Sequence, residues 1–261
     1  MNTSSNGGAE FLTLDLLSRV EGFSHGFFTR RGGVSPPPFE SLNLSASSGD
    51  KPENVRRNVR RASWTLGFRR VVSVHQVHGA KVVAADGRPH PEGNTIEAKA
   101  DGLVTDRPGL GLMIKLADCL GIILVHPPTR TVAALHAGWR GLVHGVIPAG
   151  VRAMVQDLGG GSERIRPEEI RAGISPSLGP CCAEFVNYRR EFPKSFRAFR
   201  VARDHFDLWA LARNQLRESG LREGNIETAG LCSRCRGDLF FSHRGQGPVT
   251  GRMGLMAGFI T

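Results

Sequence analysis

Residues 112–141 read LMIKLADCLGIILVHPPTRTVAALHAGWRG, and this stretch decides how the chain is organised. Two apolar runs with many β-branched residues, 121–126 and 131–136, flank the turn-forming residues 127–130. Such a pattern predicts an antiparallel hairpin. If the turn is centred between positions 128 and 129, His136 lies opposite Gly121, and Cys119 lies two positions further along that strand. Because diagonal neighbours on a sheet are about 7–8 Å apart, a thiol and an imidazole are expected to converge at the open end of the hairpin.

The rest of the chain mixes short β-type runs with amphipathic helices, so an α/β (mixed α+β) fold of one domain fits better than a regular βαβ array. Apolar residues at helical spacing predict helices over residues 52–66, 142–158, 189–199 and 207–219. Strands are predicted at 25–30, 41–44, 71–77, 81–85, 112–116, 169–174, 226–229, 239–243 and 255–260, and the polar stretch 87–99 is predicted to be a loop.

The composition is that of a globular protein, with 40% hydrophobic and 22% charged residues in 261. No apolar run is long enough to span a bilayer, and residues 1–10 lack the features of a secretion signal. We therefore expect residues 1–10 to be a disordered leader, residues 11–261 to form the catalytic domain, and the protein to be cytoplasmic. The net charge of +10 is compatible with nucleic-acid binding, but the arginines are dispersed and aromatic residues are sparse, which disfavours that partner.

His78, Cys119 and His136 each follow an apolar strand-like run, a position where catalytic side chains are commonly presented. Two imidazoles and one thiolate leave the fourth tetrahedral position of a zinc ion open, as in catalytic zinc sites. The same residues also fit a metal-free pair, in which Cys119 is the nucleophile and His136 or His75 is the base. Buried side chains that are hydrogen-bonded to the backbone are the third interpretation, and the spacing leaves all three open.

The other four cysteines are interpreted differently. Cys232 and Cys235 form a CxxC pair, which is half of a common zinc-binding pattern. Cys181 and Cys182 are adjacent in the chain, and adjacent side chains do not easily share one tetrahedral ion. We therefore expect these four residues to be core thiols or incidental ones.

Arginines near glycine-rich turns are candidate anion contacts. Arg30 and Arg31 precede Gly32-Gly33, and Arg140 follows Trp139 close to His136. A guanidinium group binds phosphate through a planar fork of donors. A structural or surface salt bridge is the alternative for each of them. A denser group at 56, 57, 60 and 61 falls on the exposed flanks of the helix predicted at 52–66, which favours a solvated face.

Nine motifs occur in an order that is specific to one family. They are HGFFTRRGGVS (25–35), SLNLS with GD (41–50), HQVHG (75–79), ADGLVT (100–105), ADC (117–119), HAGWRG (136–141), GPCC (179–182), FFSHR (240–244) and TGRM (250–253). The chain thereby resembles the YfiH-type family, whose members are labelled laccase-domain or polyphenol oxidase proteins and are understood as purine nucleoside phosphorylases. One relative is described as a peptidoglycan editing factor.

The resemblance implies a single domain of layered mixed β-sheets flanked by helices, with one zinc ion held by His78, Cys119 and His136. It also implies phosphorolysis of adenosine, inosine, guanosine and methylthioadenosine, with adenosine deamination as an accessory activity. Purine nucleosides and phosphate are then the expected partners, and no association with a membrane is expected. Copper is the less favoured metal, because laccase chemistry with four coppers needs more histidines in HxH pairs than this chain offers in one place.

For the phosphate, we expect Arg30, with Arg31 or Arg60, to be the contact, and Asp118 to orient a ligand or move a proton. Two departures from the family pattern bear on these roles. Asn58 is followed by valine where the family often has arginine, and His243 stands where tyrosine is common. A peptidoglycan-precursor hydrolase with the same Cys/His centre is the alternative function, and a basic nucleic-acid-binding module is a third.

Overall fold

The computed structural model describes residues 2–4, 8–86, 95–157 and 164–260. Its strands are β1 (Asn2–Ser4), β2 (Phe11–Thr13), β3 (Phe23–Phe28), β4 (Arg70–His75), β5 (Val82–Ala84), β6 (Thr95–Lys99), β7 (Gly102–Thr105), β8 (Leu110–Leu116), β9 (Leu120–His126), β10 (Thr131–Ala137), β11 (Arg171–Ile174), β12 (Ile226–Thr228) and β13 (Met253–Phe259). Its α-helices are α1 (Asp15–Ser18), α2 (Pro52–Thr65), α3 (Trp139–His144), α4 (Val146–Arg152), α5 (Tyr188–Glu191), α6 (Leu208–Glu218) and α7 (His243–Gln246). Short 3-10 helices lie at Ala46–Ser48, Pro167–Glu169, Lys194–Phe199 and Glu223–Asn225, and a π-helical turn at Ala153–Asp157 continues α4.

Within the described residues the strands form two mixed sheets. The first sheet has the order β1-β2-β3-β13-β8-β4-β6, and the second has the order β12-β11-β9-β10-β7-β5. Strands β9 and β10 form the hairpin expected from the sequence, with His136 opposite Gly121 and Thr131 opposite His126. The predicted register is therefore confirmed, and the predicted mixed α+β class with layered sheets is confirmed with it.

The alternation of side chains along the central strands explains the layered arrangement. In β9, Ile123 and Val125 pack into the core between the two sheets, whereas Ile122 and Leu124 pack with α4 and α6 on the outer face. In β8, Met113 points away from the inter-sheet core and packs against α2. Because successive side chains of a strand point to opposite faces, strands buried on both faces are apolar throughout. This accounts for the unbroken apolar runs in the organising stretch.

Two of the places at which the chain crosses from the first sheet to the second carry candidate site residues from the sequence analysis. Strand β4 belongs to the first sheet and β5 to the second, and the same is true of β8 and β9. Residues 76–81 make the first crossing, and residues 117–119 make the second. His78 lies in the first crossing, and Asp118 and Cys119 lie in the second. These two crossings place candidate site residues at the same border between the layers.

Local differences from the sequence prediction have identifiable causes. Within the expected leader, residues 2–4 form β1, which pairs with the otherwise open edge of β2. Residues 95–99 form β6 beside β4 rather than a loop, and residues 87–94 lie outside the described part. The helix predicted at 142–158 is broken at Gly145, which has φ 78° and ends α3, and its predicted end at residue 158 lies outside the described residues. Pro193 separates α5 from the following 3-10 helix, and residues 41–44 and 239–243 do not form strands.

Two buried polar side chains stabilise the first sheet and its neighbouring loop. Asn58 on α2 donates hydrogen bonds to the backbone oxygens of Ser41 and Asn43, so it fixes a loop onto the helix. His25 in β3 is buried, and its Nε2 accepts a hydrogen bond from the backbone N–H of Leu14. Burial lowers the pKa of His25 from 6.5 to about 4, so the imidazole is neutral in the folded protein at neutral pH.

In the part of the chain that the structure describes, every helix is too short or too polar to cross a bilayer.

Candidate active site

His78, Cys119 and His136 converge at the border between the two sheets. One ligand atom from each residue lies within 4.8 Å of the others, and Cys119 Sγ is 3.9 Å from His78 Nε2. The two imidazole rings are edge to face, with centroids 4.7 Å apart. His136 is buried, Cys119 is half-buried and His78 is exposed. The three donors thus form a set able to hold a metal ion, with one side open to solvent.

Asp101 holds two of the three donor residues, His78 and His136, in position through hydrogen bonds. Its carboxylate is fully buried immediately before β7 and accepts a hydrogen bond from His136 Nδ1 at 2.8 Å. It also accepts hydrogen bonds from the backbone N–H groups of Val77, His78 and Gly79, with N···O distances of 3.2, 2.8 and 2.7 Å. Because a carboxylate only accepts, Nδ1 of His136 carries a proton, and Nε2 is the nitrogen left to bind an ion. Burial would raise the pKa of Asp101, but the hydrogen bonds and charge of His136, with the N–H groups of Gly79 and His78, lower it overall.

The backbone at the cluster occupies conformations that ordinary residues seldom adopt. His78 has φ 63° and Asp118 has φ 85°, and both lie in the left-handed region. Gly138 approaches so closely that a Cβ there would lie 2.9 Å from Cys119 Sγ and 3.0 Å from His78 Cδ2. Strained backbone of this kind clusters at functional sites, where the surrounding structure enforces it.

Cys119 and His136 shift each other's ionisation. Burial would raise the pKa of the Cys119 thiol, but the charge and hydrogen bond of His136, together with His78, lower it to about 6. Burial would lower the pKa of His136, but the neighbouring Cys119 sulfur and the Asp101 carboxylate raise it to about 9. Without an ion, these shifts favour a thiolate on Cys119 and an imidazolium on His136, whose second proton on Nε2 would be displaced by a bound ion. A thiolate is the form in which cysteine ligates metal or attacks an electrophile.

The cluster opens into a cavity of about 1800 Å³ whose walls are strongly basic. The basic residues that line it are Arg56, Arg57, Arg60, Arg69, Lys115, Arg140, Arg244 and Arg252, whereas its acidic residues are Glu53 and Asp118. Arg60 and Arg140 stack on Trp64 and Trp139, with the guanidinium carbons 5.1 and 4.3 Å from the ring centroids. The excess of positive charge favours an anionic ligand in this cavity.

The structure does not bring Arg30 and Arg31 into this cavity, in contrast to the expectation from the sequence. Arg30 donates to the backbone oxygens of Glu40 and Gly237 and lies over the ring of Phe241. Arg31 donates to the backbone oxygen of Asp238 and pairs with its carboxylate. Backbone acceptors from a distant loop therefore hold both guanidinium groups in structural contacts.

Asp118 lines the cavity, but the protein itself satisfies its carboxylate. Oδ1 accepts the hydroxyls of Ser233 and Ser242, each at 2.7 Å, and Oδ2 accepts the backbone N–H of Arg244 at 2.6 Å. Its backbone oxygen accepts the N–H of Leu178 at 2.8 Å. These contacts hold the turn that carries Cys119 and join it to three distant loops.

Sequence reasoning missed Asp101, Lys115 and Arg252. Asp101 lies in the quoted motif ADGLVT, but its role depends on β7 pairing with β10, which no local signal reveals. Lys115 lies opposite Gly254 in the pair formed by β8 and β13, Arg252 immediately precedes β13, and both side chains are half-buried at the cavity wall. Burial lowers the pKa of both side chains, and for Arg252 the nearby Cys119 and Asp118 oppose this effect.

The other four cysteines, which the sequence predicts to be core thiols or incidental ones, lie together in one cluster. Cys181, Cys182, Cys232 and Cys235 place their sulfur atoms within 4.8 Å of one another. Cys181 Sγ and Cys182 Sγ each lie 3.5 Å from Cys235 Sγ. The turn after Gly179 accounts for this, because the N–H groups of Cys182 and Ala183 both donate to its backbone oxygen and curl the chain. Adjacent side chains therefore reach the same partner.

The family model described as multi-copper polyphenol oxidoreductase laccase matches residues 24–260. The chain belongs to this family. Among curated members, the purine nucleoside phosphorylase YlmD of Geobacillus stearothermophilus is 36% identical over 87% of each chain. The purine nucleoside phosphorylase YfiH of Escherichia coli is 34% identical over 86% of this chain and 89% of its own. The crystal structure of YlmD from Geobacillus stearothermophilus has a TM-score of 0.86 at 30% identity, covering 99% of this chain and 98% of the other.

The family description names several copper ions, and the described histidines of this chain do not form such a set. Within the described residues, the groups of three or more side chains able to hold a metal are the His/Cys/His cluster and the four cysteines. The first offers two imidazoles and one thiolate at a single position. This set is therefore able to hold one ion and lacks the donors of a multi-copper centre.

Proposed function

We propose that this chain is a zinc-dependent purine nucleoside phosphorylase with an accessory adenosine deaminase activity. The observation that carries the proposal is the convergence of His78, Cys119 and His136 at the end of a basic cavity. Relatives that share about a third of the sequence across most of its length are named purine nucleoside phosphorylases, which supports the same reaction class here.

The donor set fits a zinc ion. Imidazole nitrogen and thiolate sulfur are ligands that zinc accepts, and three protein ligands with an open fourth position are typical of catalytic zinc. The lowered pKa of Cys119 supplies the thiolate, and the Asp101 carboxylate fixes the His136 tautomer that presents Nε2. When bound, zinc supplies a Lewis acid that polarises a substrate atom or lowers the pKa of water.

Phosphorolysis requires the cavity to hold an anion against the sugar. A phosphate oxygen forms a bond to C1′ of the ribose while the bond from C1′ to the purine nitrogen breaks, giving ribose 1-phosphate and the free base. Positive charge grows on the sugar in the transition state, so a phosphate fixed beside it stabilises that charge. Arg60 and Arg140, proposed from the sequence, line the cavity, and Lys115 and Arg252 join them near the cluster. We assign the phosphate contact to these cations rather than to Arg30 or Arg31.

The cavity is larger than most small-molecule sites, which enclose about 300–1,000 Å³. Its volume of about 1800 Å³ leaves room for a nucleoside and phosphate together. The proposed substrates are adenosine, inosine, guanosine and methylthioadenosine. In the accessory reaction, water replaces the amino group at C6 of adenosine, and the products are inosine and ammonia.

The test incubates the purified full-length protein with adenosine and phosphate, with and without a chelator, and separates the products by chromatography. We expect adenine and ribose 1-phosphate, with a minor yield of inosine, and loss of all products on chelation. C119S is expected to abolish turnover. H144A is the matched control, because His144 is an exposed histidine at the end of α3 that does not line the cavity. Protein that binds zinc but converts none of the nucleosides would refute the proposal.

The thiolate–imidazolium pair also supports a second candidate, a metal-independent cysteine hydrolase acting on a peptidoglycan precursor. The same protein preparation distinguishes the two. Cleavage of a muramyl precursor containing L-serine that survives chelation but not C119S, together with unreacted adenosine, would favour the hydrolase. Products from adenosine that disappear on chelation would favour the phosphorylase.

A further inference from the structure

The four cysteines outside the candidate active site come from two loops that the backbone holds in register. Cys181 and Cys182 lie in the loop after β11, and Cys232 and Cys235 lie in the loop after β12. Ser177 and Cys232 form a parallel bridge, and the N–H of Ser233 donates to the oxygen of Ser177 at 2.9 Å. The thiols are therefore brought together by the sheet that carries both loops.

The spacing of the sulfur atoms matches one small ion. Zinc–sulfur bonds of about 2.3 Å in tetrahedral geometry place the sulfur atoms about 3.8 Å apart. Here all four lie within 4.8 Å of one another, and two of the separations are 3.5 Å. An iron–sulfur cluster interposes iron and sulfide atoms between its thiolates and needs them farther apart.

The packing and burial around the thiols fit a preformed metal site that solvent can reach. A Cβ at Gly179 would lie 3.1 Å from Cys232 Cβ and 2.8 Å from the Trp209 ring, so the absence of a side chain at 179 allows the two loops to approach. Cys182 and Cys232 are buried, whereas Cys181 and Cys235 are exposed. An ion can therefore enter from solvent and be closed in by the buried pair.

We propose that Cys181, Cys182, Cys232 and Cys235 form a second metal site, a closed four-thiolate site for one Zn²⁺ ion. Four protein ligands leave no position for substrate, so the role of the site is structural. The proposal is independent of the proposed function, because none of the four residues belongs to the His/Cys/His cluster.

The site has a defined consequence for the neighbouring cluster. Leu178 precedes Cys181 in one loop, and Ser233 lies between the cysteines of the other. Both contact Asp118, through its backbone oxygen and its carboxylate respectively. An ion that ties the two loops together would also hold Asp118, which precedes Cys119.

The experiment uses the full chain with the first site disabled by H78A and C119S, purified under reducing conditions. Zn²⁺ content is measured by elemental mass spectrometry, and Co²⁺ is then exchanged for the zinc. We expect one zinc per chain, and a cobalt protein with intense sulfur-to-cobalt charge-transfer absorption and tetrahedral ligand-field bands. Adding C181S and C235S is expected to reduce the bound zinc to none and to remove both absorption features.

Serine is close in size to cysteine, and Cys181 and Cys235 are exposed, so circular dichroism should show a folded chain after the substitutions. If that variant does not fold, the cobalt spectrum of the H78A/C119S protein decides alone, because the first site then retains no thiolate. Zinc-free protein, cobalt bound without sulfur charge transfer, metal content unaffected by C181S and C235S, or disulfides among these cysteines in reduced protein would each overturn the proposal.

Discussion

Replacing Asp101 by asparagine should disable the candidate active site without touching any of its three donors. The carboxylate accepts four hydrogen bonds from buried or part-buried donors, namely His136 Nδ1 and the backbone N–H groups of residues 77, 78 and 79. Asparagine has the same shape, but one of its two terminal groups donates and does not accept. Each of its two orientations therefore conflicts with part of this arrangement.

In one orientation, the asparagine NH₂ faces the N–H groups of Val77 and Gly79, and both lose their acceptor. At about 1–3 kcal/mol for each unsatisfied buried group, the free energy of unfolding falls by about 2–6 kcal/mol. In the other orientation, the NH₂ faces the N–H of His78, which loses its acceptor, and His136 Nδ1, which must give up its proton. His136 Nε2 then carries the proton and no longer offers a lone pair to an ion. Loss of such an orienting partner typically weakens metal affinity about 10- to 100-fold.

The assay compares D101N with D50N, a matched control. Asp50 is a buried carboxylate that accepts hydrogen bonds from Ser35, Asn43, Lys51 and Asn54, and it does not line the cavity. Urea unfolding should show destabilisation of both variants. Co²⁺ titration of the His/Cys/His site and turnover of adenosine should be impaired only in D101N. Wild-type cobalt affinity and turnover in D101N would refute the role assigned to Asp101.

Further predictions concern pH, packing and the phosphate contact. The folded pKa of His25 is about 4 and the unfolded value is 6.5, so its contribution to stability is present above pH 6.5 and is lost as pH falls toward 4. H25Q should therefore reduce the fall in the free energy of unfolding between pH 7 and pH 4.5 by about 2–3 kcal/mol, measured by urea unfolding. An unchanged fall would contradict this prediction. G138A should weaken Co²⁺ binding at the His/Cys/His cluster about tenfold or more, because the added methyl overlaps the cluster and overpacking costs about 1–3 kcal/mol. G224A adds its methyl to open space and should have no effect. Equal cobalt affinities of the two variants would count against the close approach of Gly138. In steady-state kinetics, R252M should raise the KM for phosphate roughly 10- to 100-fold, since a hydrogen bond to a charged group contributes about 1.5–3 kcal/mol. R31M should leave the KM for phosphate unchanged. The reverse result would return the phosphate contact to Arg30 and Arg31.

The parts of the molecule that could be predicted from sequence are those fixed by short-range patterns. The register of β9 and β10 follows from the turn between them, and the helix that begins at Pro52 follows from its apolar spacing. The meeting of Cys119 and His136 follows from that register. The sequence groups His78 with them through its position after an apolar run and through the order of family motifs. The register gives no such link, because β4, which precedes His78, pairs with β8 in parallel and no hairpin connects the two.

The parts that could not be predicted depend on contacts between distant segments. Arg30 and Arg31 next to two glycines have the composition of an anion site, but the backbone oxygens of Gly237 and Asp238 hold their guanidinium groups elsewhere. The four cysteines meet because two loops of the second sheet are adjacent, and a parallel pair of strands gives no local sign of this. Lys115 points toward the cavity because of the register of β8, and a single lysine in an apolar strand reveals neither its face nor its neighbours.

The two crossings that carry His78 and Cys119 make the candidate metal cluster sensitive to the alignment of the two sheets. His78 and Cys119 lie on the links between the sheets, whereas His136 belongs to the second sheet itself. A bound ion would act as a clamp across this border, so sliding one layer over the other would stretch its bonds. Core substitutions far from the cavity that shift the layers would then loosen the ion before they unfold the chain. Metal affinity would thus be a more sensitive gauge of the inter-sheet packing than the melting temperature.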